Sequence, residues 1–247
     1  MWNRTLIAGI VGCLGLLAPT PARAAFLTNG GFEAGLTGWT VVNQGSGSFF
    51  PQTGVASPAN GFPVQAPPEG NNAAITDQSG PGAHVLYQDF VVPVGVTSAT
   101  LTFQRYIRND AGEFTIGEQG LDSTGGANQQ ARVDILLGSA GDFSVSASDV
   151  LVNAFQTVPG DSVTSGYSTV SVDLTAVFAA QGGQTLRLRF AEVDNQLYFN
   201  FGVDAVDLVV LTEGVNAVPV PPTLMLAAGI PLLAGLVRRR RRASDAA

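Results

Sequence analysis

The sequence predicts an all-β fold, an antiparallel two-layer sandwich, flanked by an N-terminal signal helix and a C-terminal hydrophobic helix. Three observations lead there. Only 13% of the 247 residues are charged while 30 are glycine, which excludes a charge-rich coiled coil. Between the two ends, apolar and polar side chains alternate with the period of a half-buried strand, and no stretch longer than about ten residues keeps helical spacing. Clusters of Gly, Pro, Asn, Asp and Ser interrupt the alternation at short intervals, the pattern of sandwich strands rather than of βαβ units.

Taken in order, the clearest strands are Trp39 to Val42, Val85 to Val92, Thr100 to Ile107, Arg132 to Leu137, Thr169 to Leu174, Leu186 to Phe190, Tyr198 to Phe201 and Val203 to Leu211. In the third, Leu101, Phe103 and Ile107 form the inward set and Thr100, Thr102 and Gln104 the outward one. Arg105 has inward parity, so it either pairs with an acid or marks the strand's end. In the sixth, Leu186, Leu188 and Phe190 share a face opposite Arg187 and Arg189. Reversals are expected at Gly45 to Gly47, Ala66 to Asn72, Ser79 to Gly82 and Gly182-Gly183, where the chain needs turn residues. One short helix is expected at Thr175 to Gln181, capped by Asp173 or Thr175 and stopped by Gly182.

The two ends read as addresses. Residues 1–24 have a charged start, an apolar run from Thr5 to Ala18 and a small-residue site Ala22-Arg23-Ala24, the order of a signal peptide cleaved after Ala24 or one residue later. Cys13 is the only cysteine. The apolar run continues past it, which argues against lipidation there, and its removal would leave a mature chain without disulfides or thiolate metal ligands. The body, residues 25–214, is one domain. Residues 215–247 form a tail in three parts: Val218, Pro219, Val220, Pro221 and Pro222; an apolar helix over 224–237; and Arg238, Arg239, Arg240, Arg241 and Arg242. The prolines separate the tail from the strands, the apolar stretch approaches a membrane span, and the arginines would hold its end on the cytoplasmic side. A buried core helix with a basic tail is the alternative.

This tail resembles the PEP-CTERM sorting signal of exported bacterial proteins, also filed under an ice-binding protein C-terminal name. Val220 stands where that pattern has glutamate. The resemblance implies transient membrane insertion, cutting by an exosortase-type protease, and release or attachment at the cell surface. The body resembles a second family: Asn29-Gly30-Gly31-Phe32-Glu33 with Gly38-Trp39, and later Gly202-Val203-Asp204-Ala205-Val206, look like the first and last segments of carbohydrate-binding modules with a galactose-binding-like jelly roll. That resemblance implies a jelly-roll sandwich and a structural Ca²⁺ held by Glu33 and Asp204, with Ala205 where many relatives carry a further oxygen ligand. As residues alone, the two acids read equally as turn and strand-edge groups.

All twelve cations are arginines, so Schiff-base chemistry through lysine is excluded. The body holds only Arg105, Arg108, Arg132, Arg187 and Arg189 against eighteen of the nineteen acids, and nucleic acid is therefore not an expected partner. Sugar binding would use aromatic rings such as Phe49, Phe50, Phe62, Tyr87, Tyr106 and Tyr198, with amides from Asn71, Asn72, Gln104 and Asn195. Trp39 and most of these rings are expected to pack in the core. His84, the only histidine, is expected to be a solvated loop residue beside the Ser79 to Gly82 turn. No nucleophile elbow, histidine cluster for zinc or phosphate-binding loop is expected from the sequence. The reading is an exported, non-catalytic surface or matrix protein associated with exopolysaccharide. Its alternatives are a glycan-degrading enzyme using Glu113, Glu118, Asp122 and Asp134 of the 109–134 region, and a coat protein with no soluble ligand.

Overall fold

Alternation places the core where the spacing predicts it. Leu101, Phe103 and Ile107 are buried together with Leu186, Leu188 and Phe190. In the computed structural model, residues 26–213 are described. They form ten strands: β1 (Thr40–Gly45), β2 (Ser48–Thr53), β3 (Asn72–Asp77), β4 (Gly82–Val91), β5 (Val96–Asn109), β6 (Gln129–Leu137), β7 (Val150–Gln156), β8 (Thr164–Asp173), β9 (Thr185–Asp194) and β10 (Phe199–Thr212). The helix α1 spans Thr175–Ala180. Two five-stranded antiparallel sheets result, ordered β1-β4-β9-β6-β7 and β2-β3-β10-β5-β8. From β3 to β6 and again from β7 to β10, successive strands fall in opposite sheets except at the β6–β7 hairpin, the connectivity of a jelly-roll sandwich.

The expected signal peptide with Cys13, and the tail with Val218 to Pro222, the 224–237 helix and Arg238 to Arg242, lie outside the described residues. Among the described residues no helix is long and apolar enough to cross a membrane.

Several elements differ from the sequence expectation, each for a local reason. β2 carries Pro51 and is an edge strand, the place where a strand tolerates a missing donor. β3 has almost every residue buried, so it has no polar face to alternate with. β7 lies at the other sheet's edge, its residues only half covered. β4 begins at Gly82, three residues before the expected start. The helix takes Leu174 as its N-cap, while the Asp173 side chain accepts the Thr175 amide at 2.9 Å. The last two expected strands are one strand bent at a bulge between Asp204 and Asp207.

That bulge joins the two ends of the domain. Ala205 has φ +49°, a left-handed conformation that turns the chain out of register with β5. The Val206 amide instead donates to the Gly30 carbonyl at 3.0 Å. A Cβ on Gly30 would lie 2.0 Å from the Val206 carbonyl oxygen, so only glycine permits this approach. Asn29 shapes the opening segment, its side-chain amide donating to the Gly35 and Thr37 carbonyls while its own carbonyl accepts from the Trp39 indole. Phe32 and Trp39 are thereby seated in the core, 5.4 Å apart between ring centres, as expected for Trp39.

Candidate functional site

Glu33 and Asp204 are brought to the same end of the sandwich, both reaching the loop between β2 and β3. Glu33 Oε1 accepts the amides of Asn71 and Asn72 at 2.9 and 3.0 Å. These bonds hold its carboxyl below the usual range. Asp204 Oδ2 accepts the Glu69 amide at 3.2 Å and Oδ1 accepts the Ala205 amide at 2.7 Å. Burial raises Asp204 to about 6 against these hydrogen bonds, and the charges of Glu69 and Glu33 push the same way as burial. The donor set is all oxygen, each Asp204 oxygen accepts one hydrogen bond and keeps a lone pair while Glu33 Oε1 spends both of its own on the two amides, and the mutual repulsion is what a hard cation relieves. The residues therefore fit the Ca²⁺ that the sequence resemblance implies.

A hollow of about 290 Å³ opens where the turn at 78–81, the 57–62 loop and the 194–198 connection meet. Asp77, at the end of β3, anchors the loop that walls the hollow. Its carboxylate accepts the amides of Ala59 and Asn60, the Asn60 side chain and the Tyr198 hydroxyl, all within 3.0 Å. Burial opposes ionisation of Asp77, but these bonds outweigh it and hold its pKa below the ordinary value. The loop so anchored presents Phe62, 42% exposed, edge-on to the Tyr198 ring with centres 4.7 Å apart. The Arg108 guanidinium lies 5.1 and 5.3 Å from these two rings. Asn60, Gln78, Ser79, Asp194 and Gln196 add polar edges. Asn195 is spent on bracing, donating to the Ser123 and Gly126 carbonyls and accepting from the Asn128 amide.

Of the other aromatic candidates, Phe49 and Tyr106 are buried, Phe50 and Tyr87 half-buried. Asn71 and Asn72 belong to the Glu33 loop, and Gln104 bonds Thr169 across β5 and β8.

The carboxylates of the 109–134 region differ in their surroundings. Asp134 is fully buried and engaged by Arg132 at 2.6 Å, Arg189 at 2.6 Å and Asn153 at 2.9 Å, so it leaves the set of candidate catalytic acids. Asp122 accepts from the amide and hydroxyl of Thr124, both at 2.7 Å, and Glu113 and Glu118 are exposed. The region is also less solvated than its composition implies: Phe114 packs on Phe199, and Leu121 and Asn128 are buried. Arg105 does not mark the strand's end, since β5 runs on to Asn109, and the charge of Asp161 favours its ionised form against burial. It bonds Ser165 at 3.2 Å and lies 4.6 Å over the Phe155 ring, at the sandwich's interior edge.

His84 corrects the expectation most plainly. It is fully buried within β4, because the strand starts at Gly82 and the turn residues before it are already paired. Burial depresses its pKa to about 4 although the Ser46 carbonyl favours the charged ring. Glu192 and Asp194 face it from β9; burial raises Glu192 well above its ordinary value and Asp194 to about 7, the latter against hydrogen bonds from Gln78 and Gly82. One signal for the two acids was legible. The parity of Leu186, Leu188 and Phe190, continued along β9, turns Glu192 and Asp194 inward.

No family model matches the sequence, and no curated protein matches it. Solved structures with a similar course include the enzymatically active domain of tailspike protein 4 of bacteriophage CBA120, 10% identical over 75% of this chain with a TM-score of 0.45. The chain spans 21% of that tailspike chain. The K1 cleaved adhesin domain of Lys-gingipain from Porphyromonas gingivalis W83 is 13% identical, with 79% of this chain and 99% of that one covered and a TM-score of 0.41. The module TmCBM61, solved with β-1,4-galactotriose, is 13% identical over 77% of this chain and 99% of its own, with a TM-score of 0.42.

Proposed function

We propose that the protein is an exported, non-catalytic component of the cell surface or extracellular matrix that associates with exopolysaccharide through the hollow beside Phe62 and Tyr198. The carrying observation is a half-open aromatic pair, cross-braced by Arg108, with amide and hydroxyl groups at its rim. A pyranose offers C–H faces to aromatic rings and hydroxyls to amides, and this combination meets both demands. The net negative body favours a neutral or weakly charged glycan over a polyanion. Export is supported by the order of features in residues 1–24. Sorting by an exosortase-type protease is supported by the Val218 to Pro222 segment followed by the apolar stretch and five arginines. Glu33 and Asp204 would hold a structural Ca²⁺ that ties the opening segment to the last strand.

Electrophoresis of the protein through gels loaded with a broad panel of polysaccharides tests the binding. Retardation by at least one neutral glycan is expected, and identical mobility on all of them removes the proposal. Intact mass of the protein recovered from cells and medium tests the sorting: both ends should be lost.

A further inference from the structure

Along β4 and β9 every second residue faces the main core, as Leu86, Phe90, Leu188 and Phe190 do. The same parity carries His84, Glu192 and Asp194 inward near the end of the sheet. His84 stands directly opposite Glu192 in the register, and Gly82 opposite Asp194. All three side chains belong to buried residues, and one ligand atom from each lies within 4.8 Å of the others.

What these atoms lack matters more than their proximity. His84 Nε2 and both carboxylate oxygens of Glu192 have no hydrogen-bond partner, although both residues are fully buried. His84 Nδ1 lies 3.0 Å from Asn43 Oδ1. An amide oxygen only accepts, so Nδ1 carries the hydrogen and Nε2 turns a lone pair toward the two acids. Asp194 is better served: its Oδ1 accepts the Gly82 amide at 3.2 Å, and the Gln78 side chain bonds the carboxylate as well. Three electron-pair donors thus converge, two of them, on His84 and Glu192, unpaired and out of reach of water, and unpaired buried acceptors are costly. A Cβ at Gly82 would lie 2.3 Å from the Ser46 carbonyl oxygen and 2.6 Å from His84 Nε2, so only glycine lets the carbonyl and the ring nitrogen both come this close.

We propose that His84 Nε2 and the carboxylates of Glu192 and Asp194 hold one divalent transition-metal ion of the zinc class. An imidazole nitrogen with two carboxylate oxygens selects first-row ions that accept both donor types, and a +2 charge balances two buried carboxylates. Three protein ligands leave a position free for water or another ligand. Asp194 also lines the Phe62 hollow, so the ion would be reached from there. Asn43 is a positioning residue, holding the imidazole in its ligating tautomer. The site is separate from Glu33 and Asp204, whose donors are all oxygen.

The test uses the full chain, stripped with EDTA and then titrated with Zn²⁺ and Co²⁺ by calorimetry and visible absorption. One equivalent is expected to bind, and Co²⁺ should develop ligand-field bands that vanish in His84→Gln. His84→Gln and Glu192→Gln should each weaken binding by at least about 100-fold and Asn43→Ala by about 10–100-fold, while Glu33→Gln binds as the wild type does. The proposal is overturned if the stripped, folded wild type takes up neither ion, if uptake is unchanged in both ligand variants, or if Glu33→Gln alone removes it. The wild-type titration decides the matter even if a variant fails to fold.

Discussion

The Asp134 carboxylate and the Arg189 guanidinium meet at 2.6 Å with neither side chain exposed to solvent. They lie on the face of their sheet opposite the main core, where a loop closes over them: Arg189 also donates to the carbonyls of Asp142 and Ser144, both at 2.8 Å. Arg187 extends the array, pairing with Asp89 and Asp142 at 2.7 Å each and lying 3.7 Å over the Tyr87 ring. The positive side of the strand is thus a roofed ionic layer.

Because breaking a buried pair strands the remaining charge, Asp134→Asn should cost about 3–5 kcal/mol of stability. Urea unfolding followed by tryptophan fluorescence measures this as a lower midpoint. A midpoint shift below about 1 kcal/mol would mean that water reaches the pair.

Ala205 holds its left-handed φ of +49° without the freedom of glycine. Ala205→Gly should therefore stabilise the protein by about 1 kcal/mol, the strain relieved less the entropy added to the unfolded chain. Thermal melting should show a rise of about 2–4 °C. A fall would show that the bulge is set by contacts rather than strained against them.

Calcium should raise the melting temperature of EGTA-treated protein, by an amount equivalent to about 2.7 kcal/mol at a hundredfold excess over Kd. Glu33→Gln should abolish the rise and Glu192→Gln should not. Superimposable melts with calcium and with EGTA would count against a cation at the bulge.

Stability of the metal-stripped protein should fall as pH rises from about 4 to about 7. Asp194, raised to about 7, Asp204, raised to about 6, and Glu192, raised well above its ordinary value, all bind protons in the folded state that the unfolded chain has released. His84, lowered to about 4, works in the opposite direction over the same window, and the lowered carboxyls of Glu33, Asp77, Asp122 and Asp173 do so only at its acid end, near their ordinary values. Melting of EDTA-treated protein across this range reads the slope, and Glu192→Gln should flatten it. A slope of opposite sign would mean that the acids are ionised and compensated in the fold.

Phe62→Ala should weaken retardation by a bound glycan up to about tenfold, the worth of one aromatic contact. The ring packs on Tyr198 at the surface, so the melting temperature should change little. Retained binding would move the glycan surface elsewhere on the sandwich.

Strand identity was legible wherever polar and apolar side chains alternate, as in Thr100 to Ile107, whose polar face is partly wet, and in Leu186 to Phe190, whose arginine face lies under the ionic layer. It failed for β3, which is buried and carries no alternating polar set, and for the edge strand β2 with its proline. The likeness of the segments around Glu33 and Asp204 to the ends of a jelly roll was also readable, and the structure places them together. What the amino-acid order by itself determined is the sandwich, its acidic lysine-free surface and the meeting of its first and last segments. Tertiary structure decided that His84 lies buried opposite Glu192, that Phe62 stands against Tyr198, and that Asp134 is sealed among arginines. The physical reason is distance along the chain: each of these depends on a partner strand or loop tens of residues away, and burial is a property of what covers a residue, which local spacing does not encode.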